Sequence, residues 1–123
     1  MTSPTARTLE FLRQCAYTVQ VVERFNSFSK KRIDLYGVID ICAIRHDQKG
    51  VWGIQATSTS NIPARIKKSL EEPRLKIWLE AGNRFSCFGW AKRGKRGEVK
   101  KWTLKQVNFI VADGVVKELP CKS

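Results

Sequence analysis

Residues 32–57, RIDLYGVIDICAIRHDQKGVWGIQAT, constrain this chain more than any other stretch. Two apolar segments, residues 35–44 (LYGVIDICAI) and 51–57 (VWGIQAT), flank the short polar loop HDQKG. The loop's length and its closing Gly50 predict an antiparallel strand pair. Each predicted strand carries polar groups where a buried strand has none: Asp40 in the first, Gln55 and Thr57 at the end of the second. Strand alternation puts Val38, Asp40, Cys42 and Ile44 on one face, and Val51, Gly53, Gln55 and Thr57 on one face of the neighbour. Asp40 and Gln55 are therefore expected to converge. Burying a carboxylate and a carboxamide costs several kcal/mol unless something pairs with them. A metal ion or a hydrogen-bond network is the kind of partner that offsets it.

Around this core the hydrophobic period changes twice. Ser3-Pro4 reads as an N-cap and a first-turn proline, so a helix is expected over residues 4–15. Residues 17–25 (YTVQVVERF) alternate as a strand, and residues 26–32 (NSFSKKR) read as a mobile basic loop. After Thr57, Asn61 as N-cap and Pro63 predict a helix lined by Ile62, Ile66 and Leu70, with Arg65, Lys67 and Lys68 facing outward. Pro73 starts a second short helix ending at Gly82. Residues 84–90 and 102–111 are expected strands around a basic hairpin tip, residues 92–101, which holds six basic residues and one Glu. Residues 112–123 are expected to form a loose or weakly paired tail. The order is α-β-β-β-α-α-β-β, which a mixed sheet flanked by helices satisfies.

The 123 residues fit one domain, residues 1–123, with about two thirds of the unfolded surface buried. The chain has 23 Lys plus Arg against 11 Asp plus Glu, a net charge of +12, which points to a polyanion partner. No apolar run approaches the ~20 residues that span a bilayer. The N-terminal segment MTSPTARTLEFL lacks the apolar core of a signal peptide, so a cytosolic protein is expected. Cys15, Cys42, Cys87 and Cys121 are far apart and the single His46 lies in a loop, which favours free thiols over zinc. Trp52, Trp78 and Trp90 are expected in the core, leaving Trp102, beside Lys101, as a candidate surface aromatic.

With the helix, strand, basic loop, GVID (residues 37–40) and QAT (residues 55–57) in place, the chain resembles the PD-(D/E)XK nuclease superfamily. Within it the look is of small phage-type nucleases and archaeal-type Holliday junction resolvases. The resemblance covers element order from residue 3 to 111, and its residue-level part is short. It implies a restriction-endonuclease-like mixed β-sheet flanked by helices and a DNA endonuclease, with Mg²⁺ or Mn²⁺ as cofactor. It also implies a homodimer across branched DNA and a location in the cytoplasm, the host's if the protein is phage-encoded. Asp40 would be the metal carboxylate, Gln55 would replace the acidic ligand, Ala56 would offer its backbone carbonyl, and Thr57 stands where the family has Lys. The missing cation is expected from Lys67 or Lys68. Further ligands are expected from Glu10, Glu23 or Asp34, with Asp34 alternatively pairing with Arg32 or Lys31.

Three basic groups are the expected DNA contacts: Lys30, Lys31 and Arg32; Arg65, Lys67 and Lys68; and Lys92, Arg93, Lys95 and Arg96. The changed residues Gln55 and Thr57 keep a second reading open, a non-catalytic DNA-binding protein on a nuclease fold. A basic RNA-binding or structural protein is a third.

Overall fold

The computed structural model describes residues 3–120. Helix α1 (Pro4–Gln14) starts where the Ser3 hydroxyl accepts the Ala6 N–H at 3.1 Å, with Pro4 in the first turn. The chain then enters a six-stranded sheet in the order β1 (Thr18–Val21), β4 (Ile41–Ile44), β5 (Trp52–Ser58), β6 (Arg84–Arg93), β7 (Lys101–Ala112) and β8 (Val115–Pro120). A separate two-stranded ribbon, β2 (Arg24–Asn26) and β3 (Lys31–Ile33), leaves the sheet between β1 and β4.

All neighbours are antiparallel except β5 and β6, which run parallel because helices α2 (Ile62–Glu71) and α3 (Pro73–Glu80) carry the chain back between them. This is the expected α/β class, a mixed sheet with helices on both faces. Strand alternation feeds two cores. Trp52 and Ile54 point to the α1 side, where they meet Leu12, Ile41, Phe88 and Trp90. The other face packs Phe85, Cys87, Val107 and Phe109 with Ile62 of α2, Leu75 of α3 and the turn residues Val38 and Ile39. Gly50, in the β4–β5 loop, has a positive φ of 77°, and a Cβ there would stand 2.1 Å from the Gly82 carbonyl oxygen, so only glycine closes this loop.

Four expectations change. Residues 35–44 are not one strand. Tyr36 and Gly37 take consecutive positive φ angles of 52° and 78°, a reversal that brings Leu35 opposite Ile39, and pairing in the sheet begins only at Ile41. Val38 and Ile39 consequently enter the same core rather than opposite faces, and Ile44 lies on the surface. Residues 17–25 are likewise split, because the N–H groups of Val22 and Glu23 both donate to the Asp40 carbonyl, at 2.8 and 3.3 Å, and this bulge turns the chain out of the sheet. Residues 26–32, expected as a loop, form much of the β2–β3 ribbon. The tail is firmer than expected: Asp113-Gly114 supplies a positive-φ turn and residues 115–120 pair along β7. Cys121 and the rest of the tail lie outside the described residues.

Candidate metal centre

The Tyr36–Gly37 reversal builds the site. It returns the chain so that Asp34 and Asp40, six positions apart, face one another at the edge where β1, β4 and β5 meet. The bulge at Val22–Glu23 delivers a third acid to the same place. Glu23, Asp34 and Asp40 each bring a carboxylate oxygen within 4.8 Å of the others, the one such acidic group among the described residues. Asp40 is 6% exposed. Its Oδ2 accepts the Ala56 N–H at 3.0 Å, and its own N–H donates to the Ile54 carbonyl at 2.9 Å, which locks it to β5.

Like charges this close, with little water between them, resist ionising together. Burial, a carboxyl–carboxyl hydrogen bond with Asp34 and repulsion from Asp34 push the Asp40 carboxyl up to about 8, with a smaller push from Glu23 and an opposing pull from the Ala56 N–H. Two cations temper the cluster: Arg32 Nη1 lies 3.1 Å from Glu23 Oε1, and Lys68 Nζ lies 3.7 Å from Asp34 Oδ2.

Gln55 is fully buried on the α2 side of β5, and its Nε2 donates to Asp34 Oδ2 at 3.1 Å. Its Oε1 is buried without a hydrogen-bond partner. An orphaned acceptor of that kind normally costs 1–3 kcal/mol, so its position on the group that holds Asp34 is informative. Because N–H and C=O of one strand residue face the same neighbour, the Ala56 carbonyl lies on the Asp40 side of β5, as its N–H does. The three atoms that meet are carboxylate oxygens, and the Gln55 amide and Ala56 carbonyl on the neighbouring strand would add only further oxygen. Such a set fits a hard divalent ion, Mg²⁺ or Mn²⁺, and a soft metal poorly.

The structure sorts the remaining expected residues. Lys68 reaches the cluster, whereas Lys67, one position earlier, points about 100° away around the helix. Thr57 is buried on the Gln55 side of β5 and carries no charge, so the nearby cation comes from α2. Glu10 is excluded from the cluster. It is exposed on α1, beside Arg7, Gln14 and Trp90, because α1 covers the opposite face of the sheet from Gln55. Of the two roles open to Asp34, the structure assigns it to the acidic cluster, paired with Lys68 rather than Arg32 or Lys31. In the sequence it lies between apolar Ile33 and Leu35.

The basic groups have a common geometry. The register Val21↔Ile41, Ile41↔Ile54 and Ser58↔Trp90 sets the ends of β1, β5 and β6 and the start of β4 at one end of the sheet. The ribbon carrying Lys30, Lys31 and Arg32 leaves from that end. So does the β6–β7 hairpin, with Lys92 and Arg93 on β6 and Lys95 and Arg96 in its loop, all exposed. Their roots are three strand spacings apart, about 14 Å. Arg65 is half-buried on α2. Trp52 and Trp90 are core, Trp78 packs against it, and the Arg7 guanidinium stacks 3.7 Å over the part-exposed Trp102 ring. Cys15, Cys42 and Cys87 are free thiols, and burial pushes the Cys87 thiol up to about 12.

Comparison with protein-family models, with curated proteins and with solved structures finds no match to this chain.

Proposed function

We propose that this chain is a Mg²⁺- or Mn²⁺-dependent DNA endonuclease acting on branched duplexes such as four-way junctions. The observation that carries the reading is the meeting of Glu23, Asp34 and Asp40, with the buried Gln55 amide held against Asp34, at the end of the sheet from which two basic hairpins project. Those three acids, the Gln55 oxygen and the Ala56 carbonyl would hold the ion. When bound, Mg²⁺ or Mn²⁺ there supplies Lewis-acid polarisation of the scissile phosphate and a water of lowered pKa.

The chain's own residues do the rest. The Ala56 N–H fixes the Asp40 carboxylate, Gln55 Nε2 orients Asp34, and the Lys68 ammonium brings positive charge toward a phosphate oxygen. Lys30, Lys31, Lys92, Arg93, Lys95 and Arg96 hold flanking phosphates, as the net charge of +12 favours. A two-fold pair of chains would set one site on each of two strands of a junction.

Thr57 favours a second reading. A buried, uncharged residue stands where the resemblance calls for a lysine, and a site without that lysine could bind DNA and not cut it. Incubation with supercoiled, linear and four-way junction DNA, in Mg²⁺ or Mn²⁺ against EDTA, separates the two. Metal-dependent cleavage lost in Asp40→Asn supports the enzyme, and binding without cleavage in either metal supports the binding module.

A further inference from the structure

The β2–β3 ribbon exposes two aromatic rings. Phe28, at its tip, is 99% exposed, and Phe25 is 64% exposed. Ten residues from Arg24 to Ile33 hold four basic side chains and no acid. The tip is shaped: Asn26 Oδ1 accepts the N–H groups of Phe28 and Ser29 at 2.9 and 3.3 Å, and Lys30 takes a left-handed φ of 55° to close the four-residue turn. Both roots of the ribbon are ligands of the candidate metal centre, since Glu23 precedes β2 and Asp34 follows β3. The Arg32–Glu23 ion pair ties the ribbon to that centre.

A soluble chain gains by burying phenylalanine, and this one instead sets a ring at the end of a cationic arm. Aromatic faces beside lysine and arginine are how proteins hold unstacked bases: the ring takes the base and the cations take its phosphates. Anchoring at Glu23 and Asp34 fixes the root of the arm at the acidic cluster and holds its tip roughly 15 Å away, within reach of the same DNA. On the reading that this cluster cuts DNA, we propose that Phe28 stacks on a base unstacked at a branch point, with Lys30 and Lys31 on the adjoining phosphates. The arm thereby selects branched over continuous duplex.

The test uses the full chain in EDTA, so that cleavage plays no part, and measures binding to a four-way junction and to a linear duplex of the same sequence. Phe28→Ala is expected to weaken junction binding about 5- to 100-fold, the loss of one base–aromatic stack, and to leave duplex binding essentially unchanged. Phe28→Trp restores the junction preference. A 2-aminopurine at the branch point changes its emission with the wild type and with Phe28→Trp, and not with Phe28→Ala. Junction binding unaltered by Phe28→Ala, or weakened equally on both DNAs, overturns the arm's role while leaving the nuclease reading standing. A wild type with no affinity for either DNA overturns both. A Phe28→Ala effect confined to vesicles of anionic phospholipid, or to self-association in sedimentation, assigns the ring to lipid or a second copy and likewise overturns the proposal.

Discussion

The Gln55 side-chain amide donates to Asp34 Oδ2 at 3.1 Å, while the oxygen of the same amide is buried with no partner. One half of a carboxamide thus orders an acid. Gln55→Glu replaces the donor by a second negative charge against Asp34. Thermal melts in EDTA should show a loss of roughly 1–3 kcal/mol, the cost of a buried polar group without its partner. Mn²⁺ should restore more stability to this variant than to the wild type, because carboxylate count raises affinity for hard cations.

Asp40 gives the metal-free protein a pH dependence of definite sign. Its carboxyl, pushed up to about 8 from the ordinary 3.8, keeps over that range a proton that the unfolded chain has released. This contribution is full below 3.8 and is lost as pH rises through about 8. Denaturant titrations in EDTA across this range should therefore show the wild type losing stability relative to Asp40→Asn as pH rises. Mn²⁺ binding should strengthen over the same interval, since the metal must displace the proton.

Lys68 and Lys67 are neighbours in sequence with different surroundings. Lys68→Ala should lower cleavage about 100-fold, the scale for removing one preorganised electrostatic contact, and change stability by less than about 1 kcal/mol because the pair with Asp34 is partly exposed. Lys67→Ala should leave single-turnover cleavage near the wild-type rate and reduce the slope of log affinity against log salt by about 1, as the loss of one phosphate contact does. Equal effects of the two substitutions on cleavage would remove Lys68 from the site.

Glu72 caps α3, accepting the Arg74 N–H at 3.0 Å and meeting the Arg74 guanidinium at 2.7 Å. These contacts hold its carboxyl down at about 2, below its ordinary 4.5. Its contribution is present above 4.5 and is lost as pH falls toward about 2. Glu72→Ala should cost about 1 kcal/mol near neutral pH, the usual loss of a helix cap, and flatten the acid limb of the stability curve.

Much of the scaffold follows from local pattern. The α1 cap at Ser3, the prolines opening α2 and α3, and the β4–β5 pairing each rest on interactions within a few residues, and each stands close to its expected place. The site was legible in part, through Asp40 and Gln55 as polar interruptions of apolar segments. Asp34 was one of three further ligands that the resemblance implied, and its role depends on the Tyr36–Gly37 reversal. There an apolar run resembles a strand, and only the left-handed backbone of two residues departs from one. The bulge that turns Glu23 inward arises from two N–H groups sharing the Asp40 carbonyl, a pairing between distant segments that no local period announces. Glu10 failed for the converse reason, since the choice of sheet face for α1 is a tertiary decision. Phe28 escaped notice because a phenylalanine among serines and lysines reads as part of a polar loop until its exposure is seen.

The most direct test of the metal centre is calorimetric titration of Mn²⁺ into the full chain at about pH 8.5, where the Asp40 proton competes least. The wild type should bind with little proton release at this pH and with more near pH 7. Asp40→Asn and Asp34→Asn should each lose that binding, while Glu10→Gln leaves it intact. Equal Mn²⁺ binding by the wild type and Asp40→Asn, or none by the wild type, would contradict the account.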